Sequence, residues 1–369
     1  MGILLIMKKE VQKMNNILVI NPGSTSTKIA WYCGKEKKWG ENIEHDPAQI
    51  KTYAVIYDQL EMRTQLVLKT IADKGETVDS LSAVVSRGGL LGRVSAGAYE
   101  VNDTMVEVLR DRPVNHHASN LGAAIALHIA RQAGVKAYIY DPVTVDEMID
   151  LVRVTGLKEV QRFGQGHNLN MRAAALRLCK EENMDYGKSN IIVAHLGGGI
   201  TLSLHSQGRI IDMISDDEGA FSPERAGALP IYRMLSALEE KHLDYAGTMK
   251  LLQRSGGLTS WFGTSDTRTV EKMALEEGNA QAKLVYDAMA LSVARSIAKL
   301  AVVVDGSVDR IVLTGGIAYS KYFCGEITRR VSFIAPVTVY AGENEMEALA
   351  LGALRVLTGE ETAHIFEEK

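Results

Sequence analysis

The sequence has few cysteines and only a small excess of charge of one sign, and each of these features argues against a class of protein. Its three cysteines, Cys33, Cys179 and Cys324, lie far apart with no CxxC pair, which argues against a disulfide framework or a zinc site. We therefore expect free thiols in a reducing compartment, the cytoplasm. The formal net charge is -4, from 41 basic and 45 acidic residues, so no overall field favours nucleic acid or a membrane surface.

Long apolar runs are also absent. No window approaches the length of a membrane-spanning helix, and the apolar residues 2–7 are too short for a secretory signal and lack a cleavage site. We expect Met14 to be the true start and residues 1–13 to be an extension or a start-site artefact. With 369 residues, 46% of them hydrophobic, the chain is long enough for two globular domains.

Two stretches of the chain repeat one another. Residues 16–23 read "NILVINPG" and residues 190–197 read "NIIVAHLG", and each continues through small residues into a second apolar stretch. This pattern predicts two β-hairpins whose tips bring backbone N–H groups close to a ligand. Lys28 does not belong to a P-loop, because that motif needs glycine before the lysine and Ser or Thr after it. Two hairpins half a chain apart suggest a duplicated domain with a ligand between the copies.

The remaining pattern is that of an α/β protein. Further apolar strands end at Asp141 and at Gly315–Gly316, and strand ends are where ligands of α/β sheets gather. Ser119 is expected to cap a helix to Ala133. Helical periodicity also predicts helices over residues 169–181, 281–304 and 343–357. Short connections between the halves predict hinges and domain closure.

Several residues have chemistry suited to a site, although each also has a structural explanation. Arg87 follows an apolar strand and Arg225 lies between proline and glycine, so both suit a bidentate anion, with a surface salt bridge as the alternative. Asp141 before proline fits a turn or a metal ligand equally. Glu345 can favour a helix dipole, and His167, without metal-ligand spacing, reads as an ordinary hydrogen-bonding histidine.

With these fragments together, the chain resembles the acetate kinase and butyrate kinase family of the actin-like ATPase superfamily. The resemblance runs from Asn16 to about Leu357 in family order. The matching stretches are "NPGSTSTK", "VSRGGLL", "HASNLGA", "DPVTVDEM", "VAHLGGGI", "FSPERAGALP", "GTSDTR", "VLTGGIA" and "NEMEALALGALRVL".

The resemblance implies the fold and the reaction. It implies an α/β protein of two duplicated actin-like ATPase (ribonuclease H-like) domains with a nucleotide cleft between them. The expected domains are residues 15–143 plus 347–369, and residues 144–346. The implied enzyme is a kinase that reversibly transfers the γ-phosphoryl group of ATP to butyrate or a branched short-chain fatty acid, giving an acyl phosphate and ADP. Mg²⁺ and assembly into a homo-oligomer, a dimer or larger, are implied as well.

The resemblance also implies roles for particular residues. The catalytic group comprises Arg87, Asp141, His167 and Arg225, with the arginines on the carboxylate and the transferring phosphoryl and His167 stabilising the transition state. The expected metal positions are Asn21, Asp141 and Glu345. The expected nucleotide-binding residues are Ser24, Lys28, His195, Gly197, Gly198, Gly199, Asp266, Arg268, Gly315 and Gly316.

Two features depart from this pattern or add to it. Family members tend to carry an aromatic residue immediately before the histidine, whereas this chain has Gly166, so we expect His167 to be more mobile. The acidic run Asp216–Glu218 has no role in the implied site. An actin-like filament former or clamp and a phosphohydrolase share the hairpins and glycine turns, and fold resemblance alone does not separate these functions.

Overall fold

The computed structural model of the chain describes residues 15–368, so the expected extension over residues 1–13 lies outside the described residues. Two compact units are present. The first contains the described residues up to Gly89, then Gly97–Tyr140, and those from Leu349 onward. The second contains Leu90–Ala96 and Asp141–Ala348.

Each unit is built on one sheet. The strands are β1 (Asn16–Pro22), β2 (Ser26–Cys33), β3 (Glu36–Glu44), β4 (Ala83–Arg87), β5 (Ala98–Glu100), β6 (Lys136–Tyr140), β7 (Asn190–Leu196), β8 (Ile200–Ser206), β9 (Arg209–Ile214), β10 (Arg310–Gly315), β11 (Val337–Ala341) and β12 (His364–Ile365). The first sheet has seven strands in the order β12-β5-β6-β4-β1-β2-β3, and the second has five in the order β11-β10-β7-β8-β9.

The two sheets share one topology. In the first, β1 pairs antiparallel with β2 and parallel with β4, and β4 pairs parallel with β6. In the second, β7 pairs antiparallel with β8 and parallel with β10, and β10 pairs parallel with β11. Both predicted hairpins are therefore confirmed. Their common surroundings show that the repeated sequence marks a repeated fold.

The central strands are apolar on both faces, as strands covered by helices must be. The helices are α1 (Pro47–Ile50), α2 (Leu60–Asp73), α3 (Asp103–Asp111), α4 (Leu121–Ala133), α5 (Asp150–Arg153), α6 (Asn168–Glu181), α7 (Ile231–Glu240), α8 (Tyr245–Arg254), α9 (Gly257–Phe262), α10 (Thr267–Leu275), α11 (Ala280–Ala301), α12 (Lys321–Val331) and α13 (Glu345–Leu357). Among residues 15–368, no helix has the length and apolar character needed to cross a membrane.

The predicted helices are confirmed with shifts at their ends. The proposed cap at Ser119 is wrong, because Ala118–Asn120 form a 3₁₀ turn and α4 begins at Leu121. The N–H of Ser119 donates to Nδ1 of His117 (3.1 Å), so His117 is the capping residue of that turn. At the other end, Gly134 adopts φ 66° and terminates α4 in the left-handed conformation that glycine favours.

Two helical glycines of the chain have opposite surroundings, which predicts opposite effects of adding one methyl group. A Cβ atom on Gly122 in α4 would lie 2.2 Å from Ser86 Oγ and 2.9 Å from the Arg87 carbonyl oxygen, whereas a Cβ atom on Gly325 in α12 meets nothing within 4 Å. Gly122→Ala is expected to lower the free energy of unfolding by about 1 to 3 kcal/mol through overpacking.

Gly325→Ala is the matched control. It is expected to raise the free energy of unfolding by up to about 1 kcal/mol, because alanine favours a helix over glycine. Urea unfolding of the two variants beside the unmodified chain measures both effects. A stabilised Gly122→Ala protein would contradict the tight packing of α4 on the end of β4.

Candidate active site

The tip of the second hairpin, Gly197–Gly199, connects β7 to β8 and is closed by a hydrogen bond from the Gly197 N–H to the Gly199 carbonyl oxygen (3.2 Å). A Cβ atom on Gly197 would lie 2.8 Å from His195 Nε2. A Cβ atom on Gly199 would lie 2.5 Å from Arg225 Nη1. Glycine is required here because a histidine and an arginine pack directly on the backbone.

His195 is fixed by side chains on both of its ring nitrogens. The ring is 1% exposed, and its Nδ1 lies 2.9 Å from Nδ2 of Asn170. An amide nitrogen only donates, so Nδ1 accepts and the neutral ring carries its proton on Nε2. That nitrogen lies 3.2 Å from Oε1 of Glu343. Asn170 also donates to Oγ1 of Thr314 (3.3 Å), which ties the histidine to the end of β10.

His167 immediately precedes α6 and stacks on His195. The two rings lie 3.8 Å apart, centroid to centroid, and are 10° from parallel. Nδ1 of His167 lies 2.9 Å from Oγ1 of Thr201 in β8. A Cβ atom on Gly166 would lie 2.6 Å from Met213 Cε and 3.2 Å from Thr201 Oγ1. This close packing explains why glycine stands before His167 in this chain.

Arg225 is held against the same tip by its own loop, residues 221–227. The Ser222 hydroxyl donates to the Gly198 carbonyl oxygen (2.7 Å), and the Ser222 N–H donates to the Arg225 carbonyl oxygen (3.0 Å). The Arg225 guanidinium pairs with the carboxylate of Asp216 and keeps 32% of its side-chain surface exposed. The arginine is therefore oriented by the protein and still accessible to a ligand.

The pairing with Arg225 explains the first residue of the acidic run 216–218, and the other two have partners of their own. Asp217 accepts a hydrogen bond from the hydroxyl of Ser215. Glu218 lies 2.7 Å from Nε of Arg162. Burial raises the pKa of Glu218, and the hydrogen bond from Arg162 opposes that shift. The run is thus a set of separate structural contacts.

Asp141 follows β6 in a strained backbone conformation. Its φ is 39°, a region that costs a non-glycine residue about 1 to 3 kcal/mol and that is concentrated at functional sites. The side chain is buried, and its Oδ2 lies 3.2 Å from Nη1 of Arg172 in α6. Asp141 therefore combines a strained backbone with a buried carboxylate paired to Arg172.

Arg172 is the first of several polar side chains that contact one another in sequence through Tyr186, His205 and Ser203. Its guanidinium lies over the ring of Tyr186 (6.0 Å), and the Tyr186 hydroxyl lies 2.8 Å from Nδ1 of His205. Nε2 of His205 lies 2.8 Å from the Ser203 hydroxyl oxygen. Burial and, to a lesser degree, the charge of Arg172 lower the pKa of His205 to about 3. Burial raises the pKa of Tyr186, so both rings are neutral at physiological pH.

Gly315 ends β10 beside the second hairpin. Its φ is 96°, and a Cβ atom there would lie 2.4 Å from the Leu196 carbonyl oxygen. Two hydrogen bonds join it to Gly342, one from each N–H to the carbonyl of the other (3.2 and 2.9 Å). Gly316 opens a 3₁₀ turn with no atom close to where a Cβ would be. Gly315 therefore allows close packing against β7, whereas Gly316 lies in an open turn.

Asp266 and Arg268 form a separate group at the start of α10. Asp266 is the N-cap and accepts a hydrogen bond from the Arg268 N–H (3.0 Å). Its carboxylate also lies 2.9 Å from Nη2 of Arg268, whose side chain is 90% exposed. The hydrogen bond from the Arg268 side chain lowers the pKa of Asp266. Their side-chain hydrogen bonds and ion pair join Asp266 and Arg268 to each other, and within residues 15–368 none of these bonds reaches the second hairpin.

The first unit carries the remaining expected residues at strand ends. Asn21 lies near the end of β1, buried, directly opposite Lys28 in β2. Lys28 and Ser24, the latter at the hairpin tip, are exposed. Arg87 is the last residue of β4. Burial and then the charge of Arg87 lower the pKa of His117.

The expected metal residues offer oxygen donors. Asn21 and Asp141 lie at or just after strand ends, and Glu345 is the first residue of α13. Carboxylate and amide oxygens suit Mg²⁺, which keeps several waters and phosphate oxygens among its ligands. No cluster of three or more His, Cys, Asp or Glu side chains able to hold a metal occurs between residues 15 and 368.

Sequence reasoning missed the residues that orient the histidines and Asp141. Asn170 and Arg172 lie on α6 and Thr201 lies on β8. Their residue types are common in helices and strands, so no motif distinguishes them. The available signal was their position in the sequence. Asn170 and Arg172 follow His167 by three and five residues on a helix, and Thr201 comes shortly after the glycine tip.

Known proteins match this chain over most of its length. A family model described as the Acetokinase family matches residues 153–337. Butyrate kinase 2 of Clostridium acetobutylicum is 45% identical over 349 residues, covering 94% of this chain and 98% of the relative. Butyrate kinase 1 of the same organism is 43% identical over 352 residues, covering 95% and 99%.

The chain belongs to the acetokinase family. Solved structures confirm the fold of the family. A Porphyromonas gingivalis acetate kinase superposes with a TM-score of 0.76 at 19% identity, over 93% of this chain and all (100%) of that one. A Francisella tularensis propionate kinase gives 0.71 at 17% identity, over 92% and 99%. The expected family and the fold class of duplicated actin-like domains are confirmed, in agreement with the shared topology of the two sheets.

The buried His205 predicts how the stability of this acetokinase-family protein depends on pH. Its folded-state pKa of about 3 lies below the ordinary value of 6.5. Between these values His205 is protonated in the unfolded chain and neutral in the folded chain. The free energy of unfolding therefore falls as pH falls from 6.5 toward 3. His205→Asn is expected to make the loss of stability over pH 6.5 to 4.5 less steep, measured by urea unfolding.

His128→Asn is the control, because His128 is an exposed residue of α4. This variant should keep the pH dependence of the unmodified chain. An unchanged slope in His205→Asn would mean that His205 is protonated in the folded protein.

Proposed function

We propose that this chain is a kinase that reversibly transfers the γ-phosphoryl group of ATP to butyrate or a branched short-chain fatty acid. The products are an acyl phosphate and ADP. The observation that carries this proposal is the match to two butyrate kinases, each more than 40% identical over at least 94% of this chain. The geometry of the second hairpin is compatible with it.

The proposed anion-binding residues are arginines at strand and loop ends. Arg225 lies against Gly199 with its guanidinium partly exposed, and a planar guanidinium donates two parallel hydrogen bonds to a carboxylate or a phosphoryl group. Arg87 ends β4 and precedes two glycines. We assign the carboxylate and the transferring phosphoryl group to these two side chains.

His167 is the proposed stabiliser of charge in the transition state. Thr201 and the ring of His195 hold it from two sides. Stacking on the ring of His195 and the hydrogen bond at Nδ1 fix the orientation of the His167 ring. Preorganised donors of this kind cost no reorganisation at the moment of reaction.

The chemistry itself asks little of the protein beyond positioning and charge. A carboxylate is already a nucleophile at neutral pH, so no general base is needed. Phosphoryl transfer depends on in-line placement and on neutralising the equatorial oxygens. The main obstacle is repulsion between an anionic acid and a polyanionic nucleotide, and the two arginines offset it.

Nucleotide and metal positions complete the proposal. ATP and ADP would contact Ser24, Lys28 and His195, and the tip Gly197, Gly198 and Gly199, with Asp266, Arg268, Gly315 and Gly316 on the adenosine side. Asn21, Asp141 and Glu345 would hold Mg²⁺, which would supply charge neutralisation at the phosphates. The buried position of Asp141 and its link to Arg172 fit this assignment.

We also propose a homo-oligomer in the cytoplasm. Every third residue from 151 to 163 is an exposed large hydrophobic: Leu151, Val154, Leu157, Val160 and Phe163. We propose that these exposed apolar side chains contribute to a contact between copies of the chain, and a mass in solution equal to one chain would contradict self-association. The free thiols of Cys33, Cys179 and Cys324 support a reducing compartment.

The experiment that tests the function is ATP turnover with hydroxylamine trapping of the acyl phosphate. Acetate, propionate, butyrate, isobutyrate and isovalerate are compared with a blank that contains no acid. We expect trapped product that requires the acid and peaks at four or five carbons, although one methylene changes selectivity by only about 1 to 3 kcal/mol. Phosphate release in the blank with nothing trapped would instead indicate a phosphohydrolase or an actin-like ATPase.

Arg87→Ala and Arg225→Ala are each expected to lower turnover by at least about two orders of magnitude, because each removes charge from the reacting oxygens. The thermal unfolding midpoint should stay close to that of the unmodified protein. Arg329→Ala is the control, since Arg329 is a surface arginine paired with Glu326. Near-normal turnover in either test variant would remove that arginine from the site.

A further inference from the structure

Arg63 in α2 is completely buried, and its side chain is directed at the tip of the first hairpin. It is 0% exposed. Nη1 donates to the Gly23 carbonyl oxygen (2.9 Å), the Ser26 carbonyl oxygen (3.3 Å) and the Thr27 hydroxyl (3.0 Å). Nη2 donates to the Ser24 carbonyl oxygen (3.4 Å). One side chain thus contacts three backbone carbonyls of a single turn.

The charge of Arg63 has no carboxylate partner among residues 15–368. Its other contacts are from Nε and Nη2 to Oε1 of Gln59 (3.1 and 2.8 Å). Burial lowers the pKa of Arg63 to about 10, so the guanidinium stays charged at neutral pH. The neighbouring His45 is neutral, because burial and then the charge of Arg63 lower its pKa to about 4. A buried cation without a counter-ion is costly and rare.

The contacts of Arg63 set the direction of the peptide groups at the tip. In a trans peptide the carbonyl of one residue and the N–H of the next point in opposite directions. The carbonyls of Gly23 and Ser24 point toward Arg63, so the N–H groups of Ser24 and Thr25 point away from it. Both residues are exposed, and neither N–H has an acceptor in the described part of the chain. Consecutive N–H groups of this kind bind anions.

We propose that Arg63 is a positioning residue that holds the first hairpin tip in the orientation that binds the phosphate end of the nucleotide. Its guanidinium donates hydrogen bonds to the carbonyl oxygens of the turn, so the Ser24 and Thr25 N–H groups point outward. The bound anion would balance the positive charge of Arg63. This inference rests on the proposed function, because it assumes that the tip receives nucleotide phosphate. Arg63 itself does not touch the ligand.

A purely structural arginine would give a different result from a positioning one. Loss of a structural residue lowers ATP affinity only by unfolding the first unit, so the effect disappears at temperatures well below the unfolding midpoint of the variant. Loss of a residue that orients phosphate donors weakens ATP binding in the folded variant and spares adenosine. The informative quantities are therefore the ratio of the dissociation constants of adenosine and ATP and the unfolding midpoint of the variant.

The experiment measures binding of ATP and adenosine by calorimetry to the full chain and to Arg63→Met, which keeps an unbranched apolar side chain and removes the charge and the donors. We expect the Kd for ATP to rise about tenfold or more, the loss expected when an anion loses aligned N–H donors, while the Kd for adenosine changes less than about twofold. Arg63→Lys retains the charge without the fork of donors and should lose about threefold or more of ATP affinity. If Arg63→Met does not fold, the ratio of the dissociation constants of adenosine and ATP for Arg63→Lys tests the proposal instead.

Arg153→Met is the matched control, since Arg153 is also a buried arginine but pairs with Asp146 (2.5 Å). It should lower the unfolding midpoint and leave the ratio of the two dissociation constants unchanged. Equal weakening of ATP and adenosine by Arg63→Met, no weakening of ATP, or weakening of ATP only at temperatures where the variant unfolds would overturn the proposal. If the unmodified chain itself does not prefer ATP to adenosine, the proposed kinase function fails, which is a distinguishable result.

Discussion

An arginine packed on each hairpin tip is the interaction on which the candidate chemistry depends. Arg63 approaches the first tip from inside its unit and is wholly buried, whereas Arg225 lies on the second tip with a third of its side chain exposed. The first arginine orients backbone groups. The second is free to take an anionic ligand in exchange for, or together with, its partner Asp216. The Arg225 contact favours glycine at the tip, because the guanidinium lies 2.5 Å from where a Cβ atom of Gly199 would be.

The two units show how one topology supports different tips. Both sheets place a hairpin beside two parallel strands in the same order. The first tip is built from Gly23 followed by Ser and Thr, and the second from Gly197–Gly199. Side chains are tolerated on the first because it faces solvent. At Gly197 and Gly199 of the second tip, His195 and Arg225 lie in the space that a Cβ atom would need.

Buried polar contacts and ion pairs both hold the candidate side chains near the second hairpin. His195 is held by Asn170, and His167 by Thr201 and by stacking. Arg172 pairs with the strained Asp141 and lies over the ring of Tyr186, whose hydroxyl contacts His205. Such networks fix orientation because a buried polar group that loses its partner is costly.

The sequence by itself determined the hairpins, the strand ends at Asp141 and Gly315, most of the helices and the family, because turn composition and hydrophobic period are local properties. It placed Arg87 at the end of a strand correctly. It misplaced the cap at Ser119, where a 3₁₀ turn takes precedence. Only the tertiary structure decided that Asp216 pairs with Arg225 and that Arg63 donates hydrogen bonds to the first tip. Those contacts join residues distant in sequence through register and packing, which no local pattern encodes.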